Sequence, residues 1–229
     1  MASKFSRIKA ENYCWWRVLV QYLVIYLILY PFFKIFYRVE VYGRENIPKN
    51  KSILVAANHI SFFDPVIVSL AVKRPVAYMA KQELFQVPII SQIIQILGAF
   101  AVNREKLEIS TIKSAKIILT TNWLLGIFPE GTRIKPGKIG NIHKGFGYLA
   151  KTTNSEILPI GIVGSNTFCG KLTVKIGKPI PVPDSPETAI DLWGKAISEL
   201  TGFEYEKNEI FTELMYHKVN IDLKNGFKQ

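Results

Sequence analysis

The chain has 229 residues, 48% of them hydrophobic, with 29 Lys and Arg against 18 Asp and Glu, which gives a formal net charge of +11. Its two cysteines and three histidines show neither metal-ligand spacing nor a disulfide framework, so we expect reduced thiols and no metal site. A chain that is both basic and apolar favours an anionic membrane surface or anionic substrates. It contains no nucleic-acid module and no long Lys/Arg run, which argues against a nucleic-acid partner.

Residues 1–38 are predicted to associate with a membrane. Residues 18–33 form an uncharged run flanked by basic residues. The run is shorter than the roughly 20 residues that a spanning helix needs, and Pro31 interrupts it. Trp15 and Trp16 suit the membrane–water interface. We therefore expect a monotopic helix pair that enters one leaflet; a single tilted span and a buried core helix are the alternatives.

From about residue 35, strands alternate with helices. This pattern predicts an α/β fold with a mostly parallel or mixed central sheet flanked by helices. After Gly202 the tail is weakly patterned, with a possible helix at residues 207–219. Strands are predicted at residues 36–42, 52–57, 75–80, 99–102, 123–128, 157–163 and 172–176, and helices at 64–71, 88–97, 107–121, 144–151 and from 186 onward.

A histidine and an aspartate follow the second predicted strand. His59 lies at its carboxyl end, and Asp64 comes one short loop later, where open α/β sheets bind ligands. A carboxylate within reach fixes the tautomer of an imidazole and stabilises its charged form. We therefore predict that His59 is a general base oriented by Asp64. The alternatives are a structural histidine and an aspartate that caps the following helix, with Pro65 at the first helical position.

Charged residues also follow three further predicted strands, namely Lys81, Arg104 and the pair Glu130 and Arg133. If the strands are parallel, their ends converge on one face of the sheet. Three cations in one cleft suit a phosphate, which arginine binds through two parallel hydrogen bonds. Gly131 allows close backbone approach, so its N–H could serve a phosphate or an oxyanion. Taken singly, each residue could instead be a surface charge or part of a turn.

Four motifs in this order resemble those of the glycerophospholipid acyltransferase family, and most closely the bacterial 1-acyl-glycerol-3-phosphate (lysophosphatidic acid) acyltransferases. The first and third motifs are the most specific. Two positions depart from the family pattern: Asn103 stands where Asp is usual before the arginine, and Gly161 where Ala is common. The motifs are residues 58–65 (NHISFFDP), 81–104, 128–133 (FPEGTR) and 158–161 (LPIG).

The resemblance implies an acyltransferase domain at residues 39–229 that moves a fatty acyl group from acyl-CoA or acyl carrier protein to the free hydroxyl of 1-acyl-glycerol-3-phosphate. It implies that His59 is the base, that Asp64 supports it, and that no metal or cofactor takes part. Such an enzyme would work on the cytoplasmic face of a membrane. The resemblance also implies that the acceptor phosphate and glycerol contact Lys81, Arg104, Glu130, Gly131, Thr132 and Arg133.

Other readings stay open at this point. The same motifs serve enzymes that use another lysophospholipid, a lyso-aminolipid or glycerol-3-phosphate as acceptor. A non-catalytic membrane-binding protein on the same fold is the alternative from a different functional class. The oligomeric state and the preferred acyl-chain length do not follow from the sequence.

Overall fold

The computed structural model describes residues 9–102 and 108–206, and the structural statements below concern these residues. The predicted alternation of strands and helices is present. The strands are β1 Arg38–Tyr42, β2 Leu54–Ala57, β3 Val76–Lys81, β4 Phe100–Val102, β5 Leu124–Ile127, β6 Ile157–Val163 and β7 Lys171–Ile176. The helices are α1 Trp15–Leu23, α2 Tyr30–Phe36, α3 Asp64–Val72, α4 Pro88–Ile96, α5 Ile109–Leu119, α6 Lys144–Thr153 and α7 Pro186–Thr201. The predicted helix at residues 207–219 lies outside the described residues.

The strands form one sheet in the order β1-β7-β6-β2-β5-β3-β4. Strands β2 to β6 are mutually parallel, and β2 lies between β5 and β6. Strand β7 is antiparallel to β6, and β1 is parallel to β7. The predicted α/β fold with a mixed central sheet is therefore confirmed. The carboxyl ends of β2, β3 and β5 lie at one edge, as the site prediction requires.

Helices cover both faces of the sheet. Phe146 of α6 and Trp193 of α7 pack on one face, together with α5. On the other face, α3 and Phe33 of α2 form the second core. All four residues of β2, Leu54–Ala57, are buried, because this strand is covered on both faces and paired on both edges. Residues that follow β2 are therefore held by a buried strand that is paired on both edges.

The expected helix pair near the N-terminus is wrong, because helical structure continues without a break from Trp15 to Phe36. Helices α1 and α2 are joined by a π-helical stretch, Val24–Leu29. Within it the hydrogen-bond ladder shifts by one residue, so that the N–H of Tyr30 donates to the carbonyl of Ile25. Pro31, which has no N–H to donate to the helical hydrogen-bond ladder, follows directly at the start of α2. A π-helical turn is one of the ways in which a helix accommodates such an irregularity. We call residues 15–36 the N-terminal helix.

The N-terminal helix is mostly exposed. It is long and apolar enough to cross a membrane, and only 17% of its most apolar 18-residue window is buried inside the protein. Its polar contacts lie on one side, where the side-chain amide of Gln21 bonds to both backbone groups of Val76 and to the carbonyl of Leu97. At its other end Phe33 packs edge-on against Phe63. The helix thus reaches from one edge of the sheet to the loop that follows β2.

Candidate active site

The carboxyl end of β2 is fixed by an amide bridge. The side chain of Asn58 donates from Nδ2 to the carbonyl of Ile162 (2.9 Å) and accepts at Oδ1 from the N–H of the same residue (2.7 Å). Asn58 is completely buried, so both polar atoms must be paired within the protein. This bridge ties β2 to β6 one residue before His59, and it sets where the histidine leaves the sheet.

Asp64 is the most heavily hydrogen-bonded side chain of the site. Its Oδ2 accepts from the backbone N–H of Ile60 and Ser61, both at 2.7 Å, and from Nδ1 of His59 at 2.9 Å. Its Oδ1 accepts from the hydroxyl of Ser165 at 2.6 Å. The residue has no solvent exposure. A buried carboxylate with four donors is held in one position, and it holds the imidazole in turn.

Asp64 does not cap helix α3. The helix begins at Asp64 itself, Phe63 occupies the N-cap position, and no side chain accepts a hydrogen bond from the first turn. Pro65 does lie in the first turn, as predicted. The capping interpretation of Asp64 was therefore wrong, because its carboxylate turns back toward the preceding loop.

The imidazole of His59 has a defined orientation. Since a carboxylate can only accept, Nδ1 carries the proton that it shares with Asp64, and Nε2 keeps a lone pair. The ring of Phe128 stacks on the imidazole at a centroid distance of 4.3 Å. The His59 side chain is 15% exposed. It is thus shielded but open to a substrate, as a general base requires.

Sequence reasoning missed Ser165. This residue follows β6 at the same edge of the sheet and is buried, yet it lies 101 positions from Asp64, the residue that it contacts. The rule that located the other site residues, polar groups that follow a strand, would have found it if it had been applied to β6. Phe128 was also missed, because an aromatic residue at a strand end is most simply interpreted as core.

The Ser165→Ala substitution is expected to lower kcat severalfold with little change in KM. It removes one hydrogen bond to a charged acceptor, worth about 1.5–3 kcal/mol, but leaves Asp64 three other donors. Steady-state kinetics and thermal unfolding would measure both effects. Ser155→Ala is the matched control, because Ser155 is also buried but its hydroxyl makes only a 3.4 Å contact with the carbonyl of Thr153. Equal losses in the two variants would contradict a positioning role for Ser165.

Glu130 is buried and links two loops. Its Oε2 accepts from the N–H of His59 at 2.7 Å, and its Oε1 accepts from the N–H of Gly140 at 2.8 Å. Burial raises the pKa of this carboxyl group, and the two backbone hydrogen bonds oppose that shift. Both carboxylate oxygens therefore contact backbone groups of the protein. Glu130 thus connects the backbone of His59 to that of Gly140.

Gly131 adopts a left-handed conformation with φ of 63°. A β-carbon here would lie 2.5 Å from Nε2 of His143, so only glycine fits. The N–H of Gly131 donates to the carbonyl of Phe128 at 2.9 Å and closes the turn. The expectation that this N–H points toward a phosphate or an oxyanion is therefore wrong for this structure, because the turn already engages the donor.

Thr132 and Arg133 follow on the exposed side of the same loop. The guanidinium of Arg133 lies over the ring of Phe62, 5.4 Å from its centroid. Phe62 belongs to the loop between His59 and Asp64, so this stacking brings Arg133 to the mouth of the site. Within the described residues Arg133 forms no ion pair, which leaves its charge available to an anion.

Lys81 lies farther from the histidine. Strand β3 is separated from β2 by β5, and two strand spacings amount to about 10 Å. The ammonium of Lys81 forms an exposed ion pair with Glu83 at 3.1 Å. Arg104 lies outside the described residues. The predicted convergence of three cations therefore stays a prediction, and of the three the structure brings Arg133 to the site.

An apolar cavity of about 90 Å³ opens beside Phe128. It lies between the ends of β3, β4 and β5 on one side and α5 and α6 on the other, and its walls include Met79, Val102, Ile127 and Phe146. His143 and Gly131 line its polar side. Such a lining suits a hydrocarbon chain better than a head group.

Comparison with known proteins gives a family match over residues 38–163, to the family model described as Acyltransferase. The match covers more than half of the chain. The chain belongs to the acyltransferase family. The predicted site residues, from His59 to Arg133, all lie within this range. Ser165, which sequence reasoning missed, lies two residues beyond the matched range.

Several acyltransferases resemble the chain over much of its length. It is 32% identical over 133 residues to the 1-acyl-sn-glycerol-3-phosphate acyltransferase of Borreliella burgdorferi. The aligned residues make up 57% of this chain and 53% of that protein. The Bacillus subtilis protein of the same name is 29% identical over 152 residues, or 64% of this chain and 75% of that protein. The matched part of the chain therefore spans about half the length of the Borreliella burgdorferi protein and three quarters of the Bacillus subtilis protein.

A solved acyltransferase shares the fold. The crystal structure of the 1-acyl-sn-glycerophosphate (LPA) acyltransferase PlsC from Thermotoga maritima superposes with a TM-score of 0.66 at 26% sequence identity, and the alignment covers 80% of each chain. This similarity extends beyond the family match, since residues 38–163 make up a smaller part of the chain. The α/β architecture described above is therefore the architecture of an acyltransferase.

Proposed function

We propose that the chain transfers a fatty acyl group from an acyl thioester to the free hydroxyl of 1-acyl-glycerol-3-phosphate, which makes phosphatidic acid. The observation that carries this proposal is the pair formed by Nδ1 of His59 and Oδ2 of Asp64 at 2.9 Å, at the carboxyl end of the central strand. The relatives named as 1-acyl-sn-glycerol-3-phosphate acyltransferases supply the choice of acceptor.

His59 acts as the general base. Its Nε2 removes the proton of the acceptor hydroxyl while that oxygen attacks the thioester carbonyl carbon. When the tetrahedral intermediate collapses, the new ester C–O bond is kept and the C–S bond breaks. The imidazolium then returns the proton to the leaving thiolate, so His59 is regenerated. Asp64 stabilises the transient positive charge on the ring, and a base placed in this way contributes about 10²–10⁴-fold to the rate.

No nucleophile of the enzyme is needed, because the thioester is already activated. Ser61 is the one hydroxyl in the loop between His59 and Asp64. Its Oγ accepts a 3.3 Å hydrogen bond from the N–H of Phe63, and its own N–H is bound to Asp64. Direct transfer uses His59 and Asp64 in the roles that their geometry supports. The proposed reaction requires no metal or cofactor beyond acyl-CoA or acyl carrier protein as co-substrate.

Arg133 is proposed to bind the acceptor phosphate, with Lys81 and Arg104 as further candidates and Thr132 beside them. Arg133 is exposed at the mouth of the site and stacks on Phe62, so its planar guanidinium is held while its charge stays open to solvent. Glu130 contributes indirectly, since both of its oxygens hold backbone N–H groups. Gly131 shapes the turn that presents Arg133.

Replacing Arg133 with alanine is expected to raise KM for the lysophosphatidic acid acceptor about 10- to 100-fold, since a charge-assisted hydrogen bond contributes about 1.5–3 kcal/mol. KM for the acyl donor should change little. Lys135→Ala is the matched control, because it removes the same charge from the same exposed loop two residues later. If the effect falls on the donor alone, Arg133 binds the donor and the assignment must be changed.

The amphiphilic substrates place the enzyme at a membrane. We propose that the N-terminal helix lies in the bilayer and that the site opens at its cytoplasmic surface, where soluble acyl donors occur. The helix meets the length and composition required, and most of it is exposed. The net charge of +11 favours an anionic leaflet, to which each basic residue near the surface contributes about 1 kcal/mol.

A transfer assay tests the proposed function directly. Purified protein is offered lysophosphatidic acid, other lysophospholipids, a lyso-aminolipid and glycerol-3-phosphate, each with acyl-CoA and with acyl carrier protein. We expect the highest kcat/KM with lysophosphatidic acid. Preference for another acceptor would keep the chemistry and change the substrate. If no acceptor is acylated, the result would favour the alternative of a non-catalytic membrane-binding protein.

A further inference from the structure

Helix α4 has its polar and apolar sides reversed relative to a helix of a soluble protein. Its outward side carries isoleucines, and Ile89 and Ile93 are 72% and 53% exposed. The polar side chains Ser91 and Gln95 lie on the opposite side of the helix, where Nε2 of Gln95 donates to the hydroxyl of Ser91 at 2.7 Å. Ser91 is the only residue of the helix that is buried. A surface helix in water normally shows the opposite arrangement.

The outward side carries no charge, and Gln92 is its one exposed polar residue. Four isoleucines, at positions 89, 90, 93 and 96, recur with helical spacing and are all exposed. Val87 extends this side before the first turn and is 45% exposed. The uncharged sequence continues from Leu84 to Val102. An exposed aliphatic patch of this extent marks a surface that contacts something apolar.

Helix α4 adjoins the N-terminal helix. The guanidinium of Arg17 donates to the carbonyl of Gln95, and the amide of Gln21 donates to the carbonyl of Leu97 at 2.7 Å. The polar groups of the two helices are thus directed toward each other. Leu19 and Leu23 of the N-terminal helix are nearly half exposed. Both helices thus expose aliphatic side chains while a polar contact holds them together.

We propose that the outward side of α4, namely Ile89, Ile90, Ile93 and Ile96, inserts into the lipid bilayer as a second membrane contact beside the N-terminal helix. The proposal rests on the membrane location given under the proposed function and adds a contact within the catalytic domain. Helix α4 follows β3 along the chain after a short 3-10 helix, and β3 ends at the same edge of the sheet as β2, which His59 follows. Its insertion would hold the mouth of the site against the lipid surface.

A lipid surface fits α4 better than a second copy of the chain. A stable protein interface buries about 800 Å² per partner and is rimmed by polar groups, which is more area than four partly exposed isoleucines supply. A bilayer requires only an aliphatic side without charges, and basic or polar residues at the boundary. The ion pair of Lys81 and Glu83 precedes α4, and Arg17 contacts its far end, so charged residues flank the uncharged stretch.

Depth-dependent quenching tests this proposal on the full chain. Cys14 and Cys169 are replaced by serine, and an environment-sensitive fluorophore is attached through Ile89→Cys. The protein is placed in nanodiscs of phosphatidylcholine and phosphatidylglycerol that contain spin-labelled lipids. We expect quenching by the spin-labelled lipids to be severalfold stronger than for the same label attached through Leu192→Cys, on the exposed surface of α7. The label at position 89 should also be protected from aqueous iodide.

Two results would overturn the proposal. One is equal lipid quenching at positions 89 and 192. The other is protection of position 89 in detergent-free solution that increases with protein concentration, which would show that a second copy covers α4. Quenching requires no turnover, so failure of the proposed acyltransferase function would leave this readout intact.

A paired kinetic measurement links the contact to catalysis. The double substitution Ile89→Asn and Ile93→Asn is expected to lower the transfer rate at least about tenfold with acceptor embedded in vesicles, since withdrawing the two isoleucines from lipid together weakens membrane binding by at least about that factor. The rate with a short-chain, monomeric acceptor should stay within about twofold. Leu192→Asn is the control on a surface that faces water. Equal loss with both acceptors would indicate damage to the fold and would count against the proposal.

Discussion

Replacing His59 with alanine is expected to lower kcat by about 10²–10⁴-fold, the contribution of a positioned general base, with little loss of stability. The side chain is partly exposed at the end of a loop. The backbone bonds of the residue do not depend on the imidazole, because its N–H donates to Glu130 and its carbonyl accepts from the N–H of Ile134. Steady-state release of free thiol from acyl-CoA, together with thermal unfolding, measures both quantities.

The second histidine near the site provides the contrast. His143 lines the cavity beside Gly131, and within the part of the chain that the structure describes its ring has no hydrogen bond to a carboxylate. His143→Ala is therefore expected to cost less than tenfold in kcat. Near-normal turnover of His59→Ala would rule out the proposed mechanism. An equal loss of kcat in both variants would show that His59 had been assigned incorrectly as the base.

Replacing Asp64 with asparagine is expected to lower both activity and stability. One carboxylate oxygen becomes an NH₂ group that faces donors on Ser165 or on the backbone of Ile60 and Ser61. Leaving buried donors without an acceptor costs about 1–3 kcal/mol each, so the free energy of unfolding should fall by about 2–4 kcal/mol. Activity should fall by about 10²-fold or more, because Nδ1 of His59 loses the carboxylate that fixes its tautomer.

The combination of effects separates Asp64 from His59. Removing His59 should affect the rate alone, whereas Asp64→Asn should also lower the unfolding temperature. Asp184→Asn is the matched control, since it makes the same chemical change at an exposed position, where such substitutions change stability by less than about 0.5 kcal/mol. An unchanged unfolding temperature for Asp64→Asn would show that its four hydrogen bonds contribute nothing net to folding.

The part of the site that could be predicted follows from strand topology. Parallel strands bring their carboxyl ends to one edge, so residues that follow β2 and β5 had to be neighbours. Nδ1 of His59 lies 2.9 Å from Oδ2 of Asp64, and the N–H of His59 donates a hydrogen bond to Glu130, which follows β5. What could not be predicted is the direction of each polar group. Glu130 faces backbone amides, and the N–H of Gly131 closes a turn, because tight loops must satisfy their own donors first.

Two helices show a further limit of sequence patterns. Periodicity identified the helix at residues 88–97 and showed which of its residues share a side. Periodicity does not show whether that side packs against the protein or is exposed on its surface. In α4 the isoleucines are exposed. In the N-terminal helix, the rule that proline breaks a helix failed at Pro31, because a π-helical stretch directly before it shifts the hydrogen-bond ladder.

The two backbone bonds of Glu130 have a consequence for how such enzymes can diverge. One carboxylate fixes both ends of the segment between residues 130 and 140, so the segment is a closed surface loop whose ends meet beside His59. Lys135 and Pro136, near its middle, are exposed. Insertions or deletions after Lys135, which leave the bond from the N–H of Ile134 to the carbonyl of His59 in place, would change the surface offered to the proposed acceptor head group without displacing His59. New acceptor preferences can therefore arise by changes in loop length while the reaction chemistry stays the same.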